Sequence, residues 1–100
     1  MSDEPISVHL RLPDDFDEYA WEVELKGHFH DAVAECEGQT YRIAFYDSTR
    51  LGQDLESELQ SGLAVMPANL VVVKSVTRAA MEEAVRRLFH SGRHPLLKAD

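Results

Sequence analysis

The chain has 100 residues, 44% of them hydrophobic and 28% charged, with a formal net charge of -8. That length bounds a single core over residues 1–100, and the composition excludes a disordered or membrane-spanning class. The negative charge opposes a phosphate backbone, so nucleic acid is not an expected partner.

The charge is unevenly divided. Residues 1–60 carry -11 and residues 61–100 carry +3, an asymmetry that favours a partner protein with a basic surface. The longest apolar run, Leu70-Val71-Val72-Val73, is far short of the roughly 20 residues of a spanning helix, and no membrane is expected. The start Met1-Ser2-Asp3-Glu4-Pro5 lacks the basic and apolar regions of a secretory signal. The single cysteine, Cys36, fits a reducing compartment. The expectation is a cytoplasmic protein of the bacterial-cytosol type.

In chain order, Ile6 to Leu12 alternates apolar and polar residues and predicts a strand with Ile6, Val8, Leu10 and Leu12 inward. Pro13 ends it, and Asp14-Asp15-Phe16-Asp17-Glu18 reads as an acidic loop. Trp21 to Lys26 alternates again and predicts a second strand with Trp21, Val23 and Leu25 in the core, closed by a turn or bulge at Gly27. Residues 28–37 fit either helical or strand spacing, but the Gly38 turn and the alternating strand Thr40 to Tyr46 argue for a hairpin. Its register is open between a two-residue Glu37-Gly38 turn, which sets Ala32 beside Ile43, and a three-residue loop, which pairs Val33 with Ile43. The second buries the larger side chain and is preferred.

Asp47-Ser48-Thr49 supplies helix-capping oxygens, and Leu51, Leu55 and Leu59 form a stripe on a helix predicted over Ser48 to Ser61. Asn69 to Val76 reads as a central strand. Thr77 caps a last helix running to Ser91, stapled by Val76 and Met81, with Met81, Ala84, Val85, Leu88 and Phe89 on its apolar face and Leu88 expected to be fully buried. The implied fold is a two-layer α+β sandwich in the order β-β-β-β-α-β-α, with a mostly antiparallel sheet of four or five strands and both helices on one face. The other face would carry Ser7, His9, Arg11, Glu22, Glu24, Lys26, Arg42 and Tyr46.

No catalytic motif stands out. His28 and His30 point the same way on a strand and could chelate one metal, with His9, Asp31, Glu35 or Cys36 as further donors, but two histidines are not a site and neither metal nor cofactor is expected. Cys36 between Glu35 and Glu37 is disfavoured as a thiolate. Asp14, Asp15, Asp17 and Glu18 form a patch suited to a basic partner. Arg86, Arg87 and Arg93 offset the C-terminal dipole of the last helix and could touch an acidic one.

The leading functional expectation is a non-enzymatic protein-binding domain, regulatory, accessory or inhibitory. The alternatives are a small metal-dependent or acid-base enzyme on the His28/His30 strand, and a homodimer that binds a small ligand between subunits.

Overall fold

The computed structural model of the chain describes residues 7–92 and 97–99. Its elements are β1 (Val8–Arg11), α1 (Phe16–Lys26), β2 (His28–Cys36), β3 (Gln39–Tyr46), α2 (Ser48–Leu59), β4 (Leu70–Val72) and α3 (Arg78–His90). The strands lie in the order β1-β2-β3-β4, with β3 and β4 parallel and the other neighbours antiparallel. The fold is therefore α+β, with a mixed four-stranded sheet and three helices in place of the two expected. Ile6 and Arg93 lie outside the described residues.

The central hairpin takes the register that the sequence reading set aside. Glu37 and Gly38 form a two-residue turn with φ of 50° and 81°, the double positive φ that matches the twist of the flanking strands. Ala32 then sits opposite Ile43 and Ala34 opposite Tyr41, while Val33 meets Arg42. Turn geometry prevails over the larger side chain, because buried alanines leave room for the helical layer and Val33 remains half-exposed on the other face.

A bulge completes that strand. Phe29 pairs with Phe45 but Ala32 pairs with Ile43, so His30 and Asp31 together oppose the single residue Ala44. The extra residue reverses the alternation, which lets Phe29 and the later Ala32, Ala34 and Cys36 all reach the core. This is why residues 28–37 fit no single period.

The segment read as an acidic loop and a second strand is helix α1. Phe16, Tyr19, Ala20 and Val23 are spaced i, i+3, i+4 and i+7, and these residues pack on the core. Trp21 and Leu25, expected in the core, are 61% and 78% exposed. The first turn is tied by Phe16 N–H to Pro13 O and Glu18 N–H to Asp15 O, each at 2.9 Å. The helix kinks at Tyr19 (φ -128°) and ends at Gly27, which takes the left-handed conformation at φ 77°.

Helix α2 begins where the Asp47 carboxylate accepts from Arg50 N–H at 2.7 Å, and α3 begins where Thr77 Oγ1 accepts from Ala80 N–H at 3.2 Å. Val76 and Met81 are both fully buried across that second start, as a hydrophobic staple requires. On α3 the deepest residues are Met81, Val85 and Phe89. Leu88 is only half-buried, because the helix axis turns the i, i+4, i+8 row toward the sheet and leaves Leu88 on its flank.

Two further expectations are corrected. β4 is a three-residue strand at the sheet edge, not a central one; α3 covers Val71 and Val73 on one side, and Val72 is half-exposed on the other. The helices also do not share one face. Side chains of α2 line a cleft with His30 and Tyr46, which alternate with the core residues Phe29 and Phe45. The face expected to be mainly polar does hold Tyr46, but buried beside α2, and Glu22, Glu24 and Lys26 stand on α1 instead. Among the described residues, no helix is long and apolar enough to cross a membrane.

Candidate functional site

The acidic residues singled out from sequence are brought to one surface by α1. Asp14, Asp15, Asp17 and Glu18 occupy its entry and first turn, and Glu22 and Glu24 follow; all six are exposed. Trp21 and Leu25 lie one turn apart in the regular stretch after the Tyr19 kink, on the side opposite Val23. The result is an indole and an isobutyl group in solvent, rimmed by carboxylates. An exposed tryptophan beside an exposed leucine is a larger apolar surface than the single residues that normally dot a protein.

The helix is held firmly beneath that surface. Phe16 is fully buried and meets Phe29 edge-on at 5.2 Å and Tyr19 at 5.6 Å. Arg78, at the start of α3, stacks 5.3 Å from the Phe16 ring centre and bonds the Asp17 carboxylate at 3.0 Å. Asp17 is thereby partly neutralised, and Glu18, Glu22 and Glu24 carry the local charge. Burial, and then the carboxylates of Asp15 and Asp31, push the Tyr19 phenol up from its ordinary value.

The basic set on α3 is less coherent. Arg86 pairs with Glu83, and Arg87 approaches the same carboxylate at 3.7 Å. One acid thus answers two arginines, leaving a modest positive surface at that end of the helix.

The histidines form a second cluster, between the sheet and α2. His28 stacks on Tyr46 at 5.7 Å and lies 5.1 Å from His30, centre to centre. His30 Nε2 is 3.0 Å from Tyr46 Oη. The Asp54 carboxylate lies near Tyr46, whose phenol is pushed up by burial first and by that carboxylate second. Arg50 Nε donates to Asp54 at 2.9 Å. Burial and then Arg50 hold the His28 imidazole below its ordinary value, and its Nδ1 is buried with no hydrogen-bond partner. The adjoining cleft, about 490 Å³, has His30, Tyr46, Asp54 and Glu58 on one wall and Val65 and Met66 on the other.

This cluster was half visible in the sequence. The i, i+2 histidines were seen, but Tyr46 and Asp54 were not joined to them; the Arg50-Asp54 spacing of four on a helix was the available signal. His9 does not converge on it. His9 pairs with Glu35, five residues along β2 from His30, which is about 16 Å at 3.3 Å per residue. Cys36 is buried at that same distant end of β2, and its thiol is pushed up by burial first and then by Glu37. Among the described residues, no three His, Cys, Asp or Glu side chains gather as a metal set.

Compared with protein-family models, curated proteins and solved structures, the chain matches none.

Proposed function

We propose that this chain is a protein-binding domain whose α1 surface docks a basic partner. One observation carries the reading: Trp21 and Leu25 stand 61% and 78% exposed on a rigidly anchored helix. Tryptophan is the side chain most enriched among residues that dominate binding energy, and it acts from well-packed positions surrounded by weaker polar contacts. Here Glu18, Glu22 and Glu24 supply that surround, and their charge steers a lysine- or arginine-bearing surface into place. The helix is already formed, so docking would order little more than the side chains.

A photo-crosslinking amino acid at Glu22, in the cells that make the protein, tests the reading. A discrete adduct at position 22, missing when the probe stands at Ser57 on α2 and missing in the Trp21→Ala background, is the expected result. No adduct at position 22, or the same adduct from both positions, would refute it.

A second reading rests on the His30-Tyr46 hydrogen bond and the neighbouring Asp54 carboxylate beside a cleft. It would serve acid-base chemistry or hold a small ligand. A ligand-dependent chemical shift confined to His28, His30 and Tyr46 would support it, and uniform silence of those signals across a metabolite set would remove it.

A further inference from the structure

The parallel pairing of β3 with β4 determines which peptide groups of β4 are used. Asn69 O accepts from Ala44 N–H at 3.1 Å and Val73 N–H donates to Tyr46 O at 2.8 Å. In a parallel ladder every second residue turns both its polar groups to the same neighbour. Asn69 O, Val71 and Val73 N–H therefore face β3, and the N–H and C=O groups of Leu70 and Val72 face away from the sheet. Among the described residues no strand pairs with that outer edge.

Beside the edge runs a groove of about 430 Å³ between β4 and α3. Val71 and Val73 form its strand wall, Ala80, Ala84 and Leu88 its helix wall, and Lys74, Glu83 and Arg87 its charged border. This explains the half-burial of Leu88, which faces the groove and not the centre of the core. The C-terminal tail is fastened at the lower end, where the Asn69 side chain donates to Lys98 O at 2.8 Å and accepts from Lys98 N–H at 2.6 Å.

We infer that this edge takes an acidic, extended peptide as a fifth strand. Main-chain bonds to Leu70 and Val72 would supply affinity, and every second side chain of the peptide would drop into the groove against Ala84 and Leu88. The charge selects the occupant: Lys74 and Arg87 outnumber Glu83 along the border. A second copy of this chain is disfavoured by the same charges, since edge-to-edge pairing would bring Lys74 and Arg87 of both copies toward one seam. The site lies on β4 and α3 and is independent of the α1 surface.

The probe is a blocked heptapeptide alternating glutamate and valine, read by amide hydrogen exchange of the whole chain. Binding should slow exchange at Leu70 and Val72 by about tenfold or more, while Val71 and Val73, already bonded to β3, change little. The same peptide N-methylated on alternate amides, or with lysine replacing glutamate, should give no protection.

Val72→Pro removes one outward N–H without touching the ladder to β3, a position where an edge strand accepts proline. Ala84→Phe fills the groove and leaves the backbone intact. Both variants should lose the protection while the Val73 amide stays slow, which shows that the fold survives. Absence of protection at both amides, protection of Leu70 that persists in Val72→Pro, or protection without peptide in a sample that sediments as a dimer would each overturn the inference.

Discussion

Gly27 joins three parts of the molecule through one residue. Its N–H closes α1 on Val23 O, its C=O accepts from Asp47 N–H, both at 2.9 Å, and its φ of 77° lies where side chains are strained. A Cβ there would stand 2.6 Å from Asp47 Oδ2 and 2.9 Å from Arg50 Cβ. Gly27→Ala should therefore cost more than about 2 kcal/mol, the left-handed penalty with the clash added, measured by denaturant unfolding. The sequence showed a glycine that interrupts a pattern; it could not show that α2 packs against it.

His28 provides a second test at this scale. Its imidazole is held below its ordinary value, so below about pH 6.5 the unfolded chain takes up a proton that the folded chain resists. Stability should fall as pH drops from 7 toward 5. His28→Phe keeps the stack on Tyr46, removes the titration and removes the orphaned Nδ1. The variant should be at least as stable at pH 7 and should show a flatter decline with acid, followed by thermal melting at several pH values. An unchanged slope would assign the pH dependence to other groups.

Among the elements, α3 separates depth from pattern. Its stripe was legible, since Met81, Val85 and Phe89 recur every four residues, but which row of that stripe faces the sheet depends on the helix direction. Phe89 is fully buried against Tyr41, ring centres 5.4 Å apart, and Phe89→Ala should cost about 3 to 5 kcal/mol. Leu88→Ala should cost less than about 2 kcal/mol, because the side chain already borders solvent in the β4 groove. Equal costs in urea unfolding would place Leu88 in the core after all.

α1 was misread for a related reason. Trp21, Val23 and Leu25 alternate as a strand does, yet Phe16, Tyr19, Ala20 and Val23 carry the helical spacing, and the run of acids around Phe16 concealed it as a loop. The strand reading failed where Trp21 and Leu25 were most persuasive, because those two large residues are not core. An apolar pattern records what avoids water, and the proposed docking surface would add residues that avoid it only in a complex. The hairpin was legible in kind and wrong in register, since the two-residue Glu37-Gly38 turn prevailed over burial of the larger Val33, and the bulge at His30 and Asp31 left no compositional mark.

For the whole molecule, the uneven charge along the chain becomes a division of surfaces. The acidic residues 1–60 place six carboxylates on and before α1, around Trp21, and the basic residues 61–100 set Lys74 and Arg87 along the β4-α3 groove. Substitutions at Trp21 or Leu25 should leave stability within about 0.5 kcal/mol of the parent, as exposed positions do. Loss of binding there would then report the surface itself.

The most direct measurement follows the emission of Trp21, the one tryptophan in the chain, as a blocked amphipathic helical peptide of leucine and lysine is added. Two variants reverse three charges each: Glu18, Glu22 and Glu24 to lysine on α1, and Glu37, Glu56 and Glu58 to lysine elsewhere. Their net charges are equal. The account predicts a saturable blue shift that weakens with salt, is retained in the second variant and is lost in the first. Equal weakening in both variants, or no shift in the parent, would show that bulk charge and not the α1 surface governs what this protein binds.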